Sequence, residues 1–146
     1  MHNKTKNIIL IPAAIIITAA AITGYVLWNK PHKNIKDAVA AKINAVYLYN
    51  LFITDSAKAR SLYSDKAVQV WGEIAKVSLN QLSQQIILIK TSVPDGYINC
   101  TMEEKTAGLK AGDTIAIKGI CSGYISGDAG MDLPGDVFLI RGYPIK

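Results

Sequence analysis

Between residues 67 and 143 apolar and polar residues alternate in short runs broken by glycine and aspartate, the period-two signature of half-buried strands. The run AVQVWGEIAKVSL, residues 67–79, turns Val68, Val70 and Ile74 to one side and Gln69, Trp71 and Glu73 to the other. Gly72 falls where a strongly bent strand needs no side chain. QQIILIKTS and GYINCTM follow as two more strands, with Asp95-Gly96 between them as a hairpin signal. EEKTAGLKAGD predicts a short helical turn and then a Gly-Asp turn, before TIAIKGICSGYI and DVFLIRGYPI supply the fourth and fifth strands. Three strands, a helical piece and two strands are the order of a five-stranded Greek-key barrel of the OB-fold class.

Upstream the period lengthens. IKDAVAAKINAVYLYNLFI places Val39, Ile43, Val46, Tyr49 or Leu48, and Phe52 at steps of three and four, which predicts one amphipathic helix packed on its own domain. Asp55 or Thr54 is a fitting N-cap for a second helix that ends near Tyr63. The expected fold is therefore mainly β with N-terminal helices, an OB-fold barrel preceded by an amphipathic helical segment.

A third pattern lies ahead of both. Residues 8–28, IILIPAAIIITAAAITGYVLW, contain no charged side chain, and a helix of ~20 apolar residues is what ~30 Å of hydrocarbon requires. Tyr25 and Trp28 stand at one end, where amphipathic rings favour the headgroup layer. Ala19 and Ala21 form an A-x-A site, the mark of a cleaved signal peptide, yet the apolar run continues past it to Trp28, which favours a retained transmembrane signal anchor. The expected organisation is a basic N-terminus (1–7), the anchor (8–28), a linker (29–37) in which Pro31 discourages helix continuation, and the helical lead-in with the barrel (38–146). Lys4 and Lys6 precede the run and Lys30, Lys33 and Lys36 follow it, so charge alone does not orient it. A short basic start directly before an apolar run resembles a signal anchor, which places the C-terminal domain outside the cytoplasm.

Placing the charges changes the meaning of the net +5. Four of the 16 basic residues flank the apolar run, and from Asn34 onward 12 basic residues face 11 acidic ones. A domain so near neutrality lacks the strong field of a phosphate-binding surface, so nucleic acid is an unlikely partner.

FITDSAKARSLYSDKAVQVWGEI, INCTM, LKAGDTIAIKGICSG and DVFLIRGY together resemble the tRNA_anti-like family, OB-fold domains found behind signal peptides or lipoprotein signals in bacterial envelope proteins. The resemblance covers roughly residues 38 to 143. Its most specific part is GDTIAIKGICSG, where Gly112, Asp113, Gly119, Cys121 and Gly123 fit a G-D-x-V-x-V-x-G-x-C-x-G pattern. Cys100 falls where the family often carries a cysteine, and Gly142 stands where many members carry another. The resemblance implies the fold and a place in the envelope of the bacterial cytoplasmic membrane; it supplies no catalytic residue and no cofactor.

The chemistry-bearing residues are few. Alternation turns Ile98, Cys100 and Met102 to one face and Ile115, Ile117, Gly119, Cys121 and Gly123 to another, so both cysteines point inward. They form either a disulfide, with Gly119 and Gly123 leaving room for the second sulfur, or two buried structural thiols. No C-x-x-C supports a redox pair, and with both histidines, His2 and His32, flanking the apolar run, no metal set is indicated. The barrel region has no histidine base and no G-x-S-x-G, which argues against an enzyme. Glu103, Glu104, Asp128, Asp132 and Asp136 read as solvated carboxylates of turns, and SGDAGMDLPGD matches no known calcium-loop spacing. Trp71, Tyr97 and Tyr124, with Lys90 and Lys118, are the candidate contact residues, because OB-folds use exposed aromatics to stack ligands. The expectation is a non-catalytic, membrane-anchored interaction module that binds an envelope protein or a small or oligomeric ligand; the alternative is a single-stranded nucleic-acid binder.

Overall fold

The computed structural model describes residues 22–25, 35–128 and 130–145. The chain divides into two compact units, Met1–Asn34 and Ile35–Lys146. Of the expected anchor, only the helical residues 22–25 are described, and the rest of the 8–28 span lies outside the described residues. Among the described residues no helix is long and apolar enough to cross a membrane.

The second unit runs β1 (Ala41–Asn44), α1 (Ala45–Thr54), α2 (Ser56–Tyr63), β2 (Ala67–Leu79), β3 (Gln85–Lys90), β4 (Tyr97–Met102), β5 (Thr114–Ile125) and β6 (Asp136–Ile145). Strands β2 to β6 follow one another around a closed barrel in the order β2-β3-β4-β6-β5, and the antiparallel β2–β5 pairing closes it. The expected mainly β, five-stranded barrel is what forms, with β4–β6 as its parallel pair. Closure depends on bending β2: residues 67–73 pair with β5, and residues 74–79 pair with β3. A Cβ on Gly72, at the junction, would lie 2.6 Å from Ile89 Cγ2 and 3.1 Å from Ala45 Cβ, so the bend needs a residue without a side chain. Inside, Val68, Val70, Ile74, Ile87, Ile89, Ile98, Met102, Ile117, Val137 and Leu139 are all buried, as the alternation requires.

The lead-in departs from expectation. Residues 35–53 do not form one helix: 41–44 are the strand β1, parallel to β2 with Ile43 opposite Val70, and the helix starts only at Ala45. Past Gly72 the edge of β2 is taken by β3, but before it that edge is free, and β1 fills it. The Asn44 side chain accepts from the Val46 N–H at 2.9 Å and caps α1. Val39, expected on the apolar face, is fully exposed, and Val46 is exposed too, while Ala45, Leu48, Tyr49 and Phe52 are buried. Through them α1 packs on β2, β3, β4 and β6 and covers one end of the barrel. Asp55 caps α2 by accepting from Lys58 N–H at 3.0 Å, and α2 ends at Tyr63 as read from the sequence.

The helical piece expected between the third and fourth barrel strands is absent, and residues 103–113 are turns. Gly108 and Gly112 both take positive φ, 81° and 93°, which interrupts helical geometry twice in five residues. Gln85, buried at the start of β3, holds the segment, donating through Nε2 to Thr106 O at 3.0 Å and accepting from Thr106 N–H at 2.7 Å.

Candidate binding groove

Cys100 and Cys121 point inward as alternation demands, but they are two free, buried thiols and not a disulfide. Leu139 of β6 is the register partner of both, Cys100 on one side and Cys121 on the other. Two strand spacings of ~4.8 Å separate their backbones by nearly 10 Å, beyond the ~7 Å a disulfide spans. The flanking glycines therefore do not make room for sulfur. A Cβ on Gly119 would lie 3.0 Å from Ile140 O, where β6 bulges at Arg141 (φ 54°), and Gly123 itself takes φ 111°. At Gly142 a Cβ would meet Met102 Sδ at 3.0 Å and Ile117 Cγ2 at 3.1 Å, so a cysteine there would force its neighbours apart. Burial holds both thiols protonated, pushing Cys121 up to about 11 and Cys100 higher still.

Four of the five turn carboxylates are bonded or paired. Asp136 Oδ1 accepts from Tyr97 N–H at 2.9 Å, Asp128 Oδ1 from Gly130 N–H at 2.8 Å, and Glu104 and Glu103 pair with Lys36 and Arg141 at 3.0 and 3.7 Å. Among the described residues no three His, Cys, Asp or Glu side chains are grouped to hold an ion.

Three of the five candidate contact residues share a surface. Trp71, about half exposed, lines a cleft with Asn44, Glu73, Lys90, Thr91 and Thr114. Lys90 and Thr91 continue into a second cleft of about 450 Å³ with Ala75, Ser92, Pro94, Asp95 and Tyr97. Val93, Pro94 and Asp95 continue into a third, with Asp132, Leu133 and Pro134. Sharing these residues, the three clefts form one groove around the 91–96 loop, with Trp71 at one end, Lys90 and Tyr97 midway and Leu133 at the other end. The cross-strand pair Lys90–Tyr97 sets its middle, Lys90 Nζ lies 2.5 Å from Glu73 Oε1, and Tyr97 Oη donates to Asp95 Oδ1 at 3.2 Å. Partial burial and the Asp95 bond raise the Tyr97 phenol above its ordinary value.

The other two candidates lie elsewhere. Tyr124 packs edge-on against Tyr49, ring centres 6.0 Å apart, and Lys118 Nζ donates to the Lys36 carbonyl at 2.7 Å. Sequence reasoning missed the 91–96 and 126–135 loops as groove walls. Their contact runs through Tyr49, whose hydroxyl donates to Gly135 O at 2.7 Å and lies where a Gly96 side chain would be, at 2.3 Å from its Cβ position. The signal was present in Gly96 and Gly135, but only their spatial neighbour gives those glycines a reason.

A closed five-stranded barrel with this strand order and the Gly112–Gly123 block carries the features of one family, and that family's model matches residues 1–130. The chain belongs to the tRNA_anti-like family. The match reaches back over the apolar run, ahead of the 38–143 resemblance, and ends before its last segment, 136–143. Among solved structures, a proposed aspartyl-tRNA synthetase from Leishmania major Friedlin is similar over 88% of this chain and 26% of its own, at 6% identity and a TM-score of 0.44. The tRNA_anti-like chain thus spans about a quarter of that protein's length. A search of curated proteins gives no match.

Proposed function

We propose that this tRNA_anti-like protein is a non-catalytic binding module, anchored by residues 8–28 in the bacterial cytoplasmic membrane with the barrel on the outer side, and that the groove receives an extended segment of a partner protein. The observation that carries this reading is the groove's composition. It presents Trp71 and Tyr97 as apolar contact area, and three carboxylates, Glu73, Asp95 and Asp132, against one ammonium, Lys90. That net negative charge repels a phosphate chain, whereas a polypeptide, uncharged along its backbone, meets no such repulsion.

A photo-crosslinker at Tyr97 in the full chain, expressed in its own membranes, should give a discrete protein adduct that Trp71→Ala or Lys90→Ala weakens. Sub-micromolar, steeply salt-dependent binding of a single-stranded oligonucleotide, competed by no protein fraction, overturns it. Carbonate extraction tests the anchor separately, since a spanning helix stays in the pellet.

A further inference from the structure

The barrel face that adjoins the groove at Asn44 and Trp71 has a different composition. Across β1, β2, β5 and β6 the register aligns Lys42, Gln69, Lys118 and Tyr143 in one row, and Asn44, Trp71, Ala116 and Ile145 in the next. Neither row contains a carboxylate. Segment 35–38 lies on this wall: Lys36 Nζ sits 4.6 Å above the Tyr143 ring, and its carbonyl takes the Lys118 bond. Asp37 is exposed in that segment, and Glu104 is already paired with Lys36. Lys42 is exposed and has no carboxylate partner among the described residues, and Trp71 and Ile145 are partly exposed.

We propose that this β1-β2-β5-β6 wall docks on the anionic phospholipid headgroups of the membrane that holds the chain. The inference rests on the anchored reading of residues 8–28. Only six residues, 29–34, separate that run from Ile35, which is buried in the domain, and six extended residues reach at most ~20 Å. Two of the six, Lys30 and Lys33, are basic. A tether that short raises the effective concentration of lipid at the domain, so a modest attraction suffices, because docking is intramolecular. Lys42 and Lys118 supply that attraction within a Debye length of the lipid phosphates, and Trp71 supplies a ring suited to the headgroup layer. Docking by this wall leaves the Lys90–Tyr97–Leu133 stretch of the groove free for a partner, with Trp71 at the boundary between the two surfaces.

The test reconstitutes the full chain into phosphatidylcholine vesicles with and without phosphatidylglycerol, carrying a nitroxide at Gln69→Cys or Ile145→Cys, and at Thr101→Cys on β4 as the control. The two native thiols are buried and remain unlabelled in the folded chain. In anionic vesicles, collisions of both wall labels with an aqueous nickel chelate should fall severalfold relative to neutral vesicles. Added salt or Lys42→Glu should restore them, and the control should not change. Equal accessibility in the two lipids overturns the docking, as does protection that is the same in both lipids and survives salt, the mark of a protein covering the wall. A chain that fails to float with the vesicles overturns the anchored reading and the docking with it; a chain that floats with wall labels unprotected overturns the docking alone.

Discussion

Ile43 and Val70 face each other across β1 and β2, and both are buried, but they belong to regions of different kinds. Val70 sits in a strand of 13 residues whose alternation is plain along the chain; Ile43 sits in a strand of four whose spacing to Val39 and Val46 is helical. The barrel strands carry their own evidence because each must bury every second residue for six or more positions. The lead-in is defined by what it fills: a free edge of β2 and an open barrel end. A segment that completes a neighbour's structure need not show its own period.

If the lead-in is as much part of the fold as the barrel, truncating either should cost alike. Phe52→Ala in α1 and Ile117→Ala in β5 both empty fully buried sites and should each lose roughly 3–5 and 2–5 kcal/mol by denaturant titration, in a single transition. Separate transitions in the Phe52→Ala protein would break the comparison and make α1 an appendage.

Raising the pH loads both regions at once. In the folded state burial, reinforced by Tyr124 and Asp136, raises Tyr49 from 10.0 to about 12, and burial raises Cys121 from 9.0 to about 11. A group with a raised folded pKa stabilises fully below its unfolded value and loses that contribution as pH rises through the folded one. Stability should therefore fall from about pH 9 through pH 12, by up to ~1.4 kcal/mol per pH unit for each group titrating. Cys121→Ala should lessen the decline that begins near pH 9, to which buried Cys100 also contributes, and Tyr49→Phe should lessen its upper part. A flat stability profile over this range would show that neither group is held protonated by the fold.

At neutral pH Tyr49→Phe sharpens the comparison further, because it removes the donor to Gly135 O and leaves a buried carbonyl unpaired. The expected loss is ~1–3 kcal/mol, read from thermal or denaturant midpoints, with faster exchange of amides in the 126–135 loop. The smallest effect belongs to Asn44→Ala, which should lose about 1 kcal/mol with the α1 cap. A loss no larger than that of an exposed control such as Lys58→Ala would mean that β1 pairing alone sets where the helix begins.

Much of this molecule was legible in its residues. The bend at Gly72, the inward face of β5, the strand order and the Asp55 cap are local consequences of period, turn chemistry and capping, and each survives in the fold. The groove was legible only in fragments: alternation turned Trp71 and Tyr97 outward with Lys90 as a candidate beside them, but Lys118 and Tyr124, candidates as well, are occupied by Lys36 and Tyr49. Alternation assigns a side chain to a face and says nothing of what crosses that face.

By itself the sequence marked out the five barrel strands, because alternation assigns Val68, Ile87, Ile98, Ile117 and Leu139 to faces that must be buried. It also determined that both cysteines would be inside. Only the tertiary structure decided that Leu139 stands between them, that residues 41–44 extend beside β2 and not in a helix, and that loops 91–96 and 126–135 meet over Tyr49. Those outcomes depend on distances between strands remote in sequence, and a one-dimensional pattern records faces and periods but not the neighbours that closure brings together.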